Sequence, residues 1–306
     1  MVKLIMADEA LAAGVVTRRE LGKRFVKVHR NVYAPRGVEL SAADRAIAAW
    51  MWSGRRATVA GVSAAALLGA PWMPDNHPAE LARAQKRCPP GIVVHSGALR
   101  DDEVCRASGI SCTTPARTAY DLGRTYEFTV GVIRVDAVLA ATGIGVEDVA
   151  AVARRNSGAR HIRRLRRVLE CADGGAESPQ ETRLRLLLVR AGLPRPATQI
   201  PICGPTGRVV RRIDMGWPLW KVGVEYDGAQ HWTDPVQHAG DIDRLEFFAD
   251  LGWRIVRVSA RHLRSQPDGI VRRAAAALRA AGCAQTALVD APTRDSRTTP
   301  ALSASW

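Results

Sequence analysis

The chain has 306 residues, 47% of them hydrophobic and 24% charged, which is enough apolar material for two or three packed cores and too much for a disordered polymer. Lysine and arginine number 44 against 30 acidic residues, a formal charge of +14; the excess points to a polyanion, nucleic acid first and an anionic membrane surface second, with a generally Arg-rich composition as the competing explanation. Six cysteines, at 88, 105, 112, 171, 203 and 283, make no Cys-x-x-Cys pair and no zinc-ligand spacing with the seven histidines, so they read as reduced thiols of a cytoplasmic protein.

Asp8 and Glu9 interrupt the first apolar run, so a short helix over 8–13 is expected rather than a secretion signal. Thr17-Arg18-Arg19-Glu20 has the capping-box spacing that opens a second helix, and 25–28 with 32–34 reads as a strand pair, which makes 1–40 a winged-helix-like unit. Arg18, Arg19, Lys23, Arg24, Lys27 and Arg30 give it a basic surface that either touches phosphates or is simply solvated. The run from the first helix through Gly14-Val15-Val16-Thr17 to a basic hairpin closing on Asn31-Val32-Tyr33-Ala34 resembles the N-terminal domain of AbiEi-type antitoxins. That resemblance implies DNA binding and a toxin as protein partner. Leu21-Gly22-Lys23-Arg24 departs from the pattern by leaving almost no room for a separate recognition helix, so phosphate contact rather than base reading is expected.

A mostly helical α+β region over 41–176 follows, alternating Ala-rich helices with short strands such as 92–95. Its longest uncharged stretch, 57–74, holds two prolines and many Ala, Gly and Ser residues, which suits a packed helix and turn better than a membrane span. Thr114-Pro115 is a good helix start, with proline at the first helical position, and the segment 114–122 also resembles a recurrent stretch of the same antitoxin-like proteins. Further on, Arg160, Arg163, Arg164 and Arg167 fall on one helical face and Ile162, Leu165 and Leu169 on another. This basic amphipathic helix either lies along a phosphate backbone or packs on its apolar stripe with the arginines in water. Asp173-Gly174-Gly175-Ala176 breaks it and marks a boundary.

Over 177–282 the expected order is helix, three strands, helix, strand, helix. Ser178 to Glu181 opens the first helix; strands follow at 198–203, 209–217 and 220–227, a helix at 241–251, and an alternating strand at 253–258. Pro218-Leu219 suits a reversal between antiparallel strands. Parity then places Asp214 opposite Gly223 and diagonal to Glu225, with Asp227 on the same face and Val222, Val224 and Tyr226 on the other. Diagonal neighbours lie roughly 7 Å apart at Cβ, so Asp214, Glu225 and Asp227 could share a divalent cation, Mg²⁺ or Mn²⁺; acids at strand ends with an Asp227-Gly228 turn are the ordinary alternative. The composition after Cys283 predicts a disordered tail over 283–306.

This order, with Asp214, Glu225-Tyr226-Asp227-Gly228 and His231, resembles the PD-(D/E)XK nuclease superfamily, most closely an uncharacterised domain related to Vsr endonucleases. The resemblance implies a restriction-endonuclease-like mixed sheet flanked by helices within an α/β chain. It also implies magnesium on Asp214 and Glu225, often joined by a glutamate of the first helix, here Glu181, whose spacing from Ser178 is equally that of a capping box. The superfamily's usual lysine is replaced by Asp227; His231 is then the expected acid/base group, Lys221 a partial substitute on the same face, and Arg244 and Arg254 phosphate or ion-pair contacts. The leading expectation is a metal-dependent DNA endonuclease or DNA-processing enzyme that hydrolyses phosphodiester bonds, in the cytoplasm. The alternative is a non-catalytic DNA-binding regulator of antitoxin type carrying a degenerate nuclease fold.

Overall fold

The computed structural model describes residues 2–85, 87–204, 206–228 and 246–284. The chain is a mixed α/β protein of several sheets flanked by helices, and it divides into one unit ending at Thr182 and a second starting at Arg183.

The first unit opens with β1 (Ile5–Met6), α1 (Ala7–Ala12), α2 (Arg18–Arg24), β2 (Phe25–His29) and β3 (Val32–Pro35). Thr17 and Glu20 form the expected reciprocal capping box, which satisfies two of the free N–H groups at the start of α2. Antiparallel pairing of β3 with both β1 and β2 makes a three-stranded sheet. Its hairpin turns at Asn31, in the left-handed region at φ 67°, and the Asn31 side chain accepts the Asp8 N–H.

A five-stranded mixed sheet follows, in the order β6-β5-β4-β8-β7, from β4 (Thr58–Val59), β5 (Ala79–Ala82), β6 (Ile92–His95), β7 (Val104–Ala107) and β8 (Ile110–Thr113). With α3 (Ala42–Trp52) and α4 (Gly61–Leu67) it encloses an Ala-rich core that includes Val59, Leu81, Ile92 and Ile110. Helices α5 (Pro115–Thr125), α6 (Phe128–Thr142), α7 (Val146–Arg155) and α8 (Ile162–Cys171) complete the unit. Thr114 caps α5 with Pro115 in its first turn, as its sequence predicts. Among the described residues no single helix is long and apolar enough to cross a membrane.

Helix α9 (Pro179–Arg190) leads into a four-stranded sheet in the order β12-β11-β10-β9. Its strands are β9 (Ala197–Cys203), β10 (Val209–Trp217), β11 (Val222–Asp227) and β12 (Arg254–Ser259). The first three are antiparallel and β12 lies parallel to β11. Residues 246–250 form the helical segment α10; α11 (Ala260–Ser265) and α12 (Pro267–Ala280) close the unit. Leu184, Leu188, Met215, Val222, Val224, Val256, Val258, Ile270 and Leu278 form its main core, and Ile200, Ile202, Ile213 and Phe248 a second. The beginning of the helix expected at 241–251 and all but the first two residues of the tail expected at 283–306 lie outside the described residues.

Two expectations about β10 and β11 are corrected. Gly223 faces Gly216 rather than Asp214, because 218–220 form a 3-10 turn, not two loop residues, and β11 starts only at Val222. Strict alternation also fails at Asp214. Ile213 packs with Ile255 beside Gly223, whereas Met215 belongs with Val224 and Val256 on the other side. The irregularity falls next to Gln199 of β9, which has φ 47°.

Candidate functional sites

The β10–β11 ladder does not include Asp214, so neither the position opposite Gly223 nor the diagonal to Glu225 is found in it. The ladder stops at Met215–Val224, and instead of continuing it Asp214 accepts the Tyr226 N–H on Oδ2 at 2.7 Å. Gly216 permits the tight approach beside it, since a Cβ there would sit 2.3 Å from the Val222 carbonyl oxygen. Glu225 is buried. Asp227 accepts from Arg257 Nη2 at 2.6 Å. Among the described residues no group of three His, Cys, Asp or Glu side chains could hold a metal ion.

Lys221 does not take up the position expected on the carboxylate face. It precedes β11 in the left-handed region, and its ammonium donates to the Leu251 carbonyl at 3.0 Å. Glu181, in the first unit, caps the helix start with Ser178: its N–H donates to Ser178 Oγ, Ser178 Oγ donates to its Oε1, and the Glu177 N–H donates to its Oε2. Arg254 is exposed at the start of β12. His231 and Arg244 lie outside the described residues.

The basic surfaces separate into solvated and structural cations. Arg18, Arg19, Lys23, Arg24, Lys27 and Arg30 are all exposed on α2, β2 and the hairpin turn. On α8, Leu165, Val168 and Leu169 are buried and Arg163 is exposed, as is Arg160 just before the helix. Arg164 instead donates to the carbonyls of Arg124, Thr125 and Tyr126 at the end of α5, satisfying acceptors that a helix C-terminus leaves free. Arg167 lies over the Phe128 ring at 5.3 Å.

The first unit also holds a site that the sequence reading missed. A cavity of about 310 Å³ is lined by Glu80, His95, Arg117, Asp121, Arg124 and Tyr126 together with small residues of β5, β6 and β8. Glu80, buried at its floor, accepts the Val62 N–H, lies 2.6 Å from His95 Nε2 and 3.2 Å from His77 Nε2, and Tyr126 Oη bonds His77. Burial would raise the Glu80 carboxyl, but the hydrogen bonds from His77, His95 and Val62 outweigh it and hold the group at about 2. The bond to Glu80 raises His95 against the effect of its own burial. Gly61 lies against this carboxylate at φ 54°, where a Cβ would be 2.2 Å from Glu80 Oε2. These groups come from separate segments with no shared spacing. The available signals were a lone acid in the apolar run 79–82 and a Gly after Ala60, neither of which indicates the other.

Residues 57–171 match the family model of the AbiEi antitoxin C-terminal domain. Two curated proteins of Mycobacterium tuberculosis, uncharacterized protein MT2308 (strain CDC 1551 / Oshkosh) and uncharacterized protein Rv2248 (strain ATCC 25618 / H37Rv), are each 31% identical over 187 residues, 60% of this chain and 67% of theirs. No solved structure matches.

Proposed function

We propose, from the premise that this chain belongs to the family of the mycobacterial proteins MT2308 and Rv2248, that it is a non-catalytic DNA-binding regulator of antitoxin type. The observation that carries the reading is the antitoxin-domain match over 57–171. The unit preceding it supports the same reading by exposing six cations on α2, β2 and their hairpin. Helix α2 has seven residues, about 10 Å at the α-helical rise, too short to fill a major groove. It therefore grips phosphates, which position a protein on a duplex without reading its bases. Arg160 and Arg163 are further exposed cations, and a toxin is the partner expected for an antitoxin-type protein.

The test is a band shift with the full chain and duplex DNA from upstream of its own gene, in EDTA. Binding that is lost when Lys23 and Arg24 are changed to Glu is the expected result. Absence of any shift at low salt overturns the reading.

A second reading, a DNA endonuclease of PD-(D/E)XK and Vsr-like type using Mg²⁺ or Mn²⁺, is favoured by one observation, the bond from the Tyr226 N–H to Asp214, which brings an acid of β10 to the β11 segment that holds Glu225 and Asp227. The order helix, three antiparallel strands, helix, parallel strand also suits it. Against it stand the bonds already made by Asp214, Asp227 and Lys221. Nor do three His, Cys, Asp or Glu side chains among the described residues converge on one cation position. Plasmid nicking with Mg²⁺ or Mn²⁺ by the parent but not by Asp214→Ala would reverse the order of the two readings.

A further inference from the structure

Cys105 and Cys112, separated in sequence by six residues, meet across a hairpin. Ser108 and Gly109 turn the chain at φ 50° and 78°, the positive-φ pair that a two-residue hairpin loop requires. The resulting register sets Cys105 directly opposite Cys112, with Sγ atoms 3.6 Å apart. Residues opposed in antiparallel strands have Cα atoms about 4.5–5.5 Å apart, inside the range a disulfide spans. Cys112 is fully buried while Cys105 is half-buried. Burial, with Cys105 adjacent, pushes the Cys112 thiol up to about 12, so Cys105 is the thiol that meets a reagent first.

We propose that Cys105 and Cys112 form a reversible dithiol–disulfide site oxidised by a small disulfide such as oxidised glutathione. The Cys105 thiolate attacks one sulfur of the small disulfide, breaking its S–S bond, forming a mixed disulfide and releasing one thiolate. Cys112 gives its proton to that thiolate or to water, and its sulfur attacks Cys105 Sγ, releasing the second small thiol. Two protein thiols are oxidised, one S–S bond replaces another, and two small thiols leave. The product staples β7 to β8; Glu103, which pairs with Arg117, immediately precedes β7, and Thr113, which lines the cavity with Arg117, ends β8.

Trypsin tests this directly, because Arg106 lies between the two cysteines. The folded full-length chain is incubated with oxidised glutathione, alkylated and digested. Peptides 101–106 and 107–117 are expected as one cross-linked species, lighter by about 2 Da than the two together, and separate again after dithiothreitol. Cys112→Ser, with Cys112→Ala as a second variant should the serine fail to fold, is expected to stop at a glutathione adduct on Cys105. Separately alkylated peptides from the oxidised parent, or a stable adduct on Cys105 in place of the cross-link, would overturn the proposal. Cys105→Ser chains in which Cys112 reacts as readily as Cys105 does in the parent would overturn the order of attack.

Discussion

Glu80 shows how one buried charge organises its surroundings. Its carboxylate is tolerable only because His77, His95 and the Val62 N–H together replace the water it has lost. The carboxyl is depressed, so its share of stability is present above its ordinary 4.5 and lost as pH falls toward about 2. His95 is raised, so its share is complete below 6.5 and lost as pH climbs through the folded value. Both describe one interaction seen from its two ends. Thermal midpoints of the parent are therefore expected to peak between pH 4.5 and 6.5, and Glu80→Gln to flatten that peak; an unchanged profile would show that the pair contributes nothing. Gly61→Ala combines a left-handed backbone with a collision against Glu80, and a loss of about 2–4 kcal/mol is expected from strain and overpacking, read as a fall in denaturant midpoint.

The basic helix α8 separates two roles that its wheel pattern merges. Arg164→Ala removes donors from three carbonyls of α5 and is expected to destabilise the chain by about 1 kcal/mol. Arg160→Ala with Arg163→Ala, both at solvated positions, is expected to leave the thermal midpoint nearly unchanged while weakening DNA binding. The reverse pattern, in calorimetry and band shifts, would exchange the two assignments. Charge and amphipathicity of α8 are legible in the sequence because they follow a 3.6-residue period. Arg164 is not distinguishable there from its neighbours, because its acceptors lie 38–40 residues away. The carboxylate strands show the same limit. Parity puts Asp214 opposite Gly223, but the 3-10 turn at 218–220 moves the register by two residues and takes Lys221 out of the strand.

Across the whole molecule the +14 charge belongs to association rather than to folding, and it sets a quantitative expectation. Each phosphate contact releases counterions, so the logarithm of DNA affinity should fall with the logarithm of salt with a slope of about −0.9 per contact. Reversing Lys23 and Arg24 should flatten that slope by about 2. A slope that the reversal leaves unchanged would place the phosphates elsewhere on the chain, and a flat salt dependence in the parent would remove the polyanion argument.

Local signals settled by themselves where several helices begin: Thr17 with Glu20, Thr114 with Pro115, and Ser178 with Glu181. Each is a short-range effect of capping or ring geometry, carried by residues within one turn of each other. Tertiary structure alone decided which acid faces which, that Glu80 meets His77, His95 and Gly61, and that Cys105 meets Cys112. Pairing across strands and between segments depends on the full length of every intervening turn, and one extra loop residue redirects every side chain that follows.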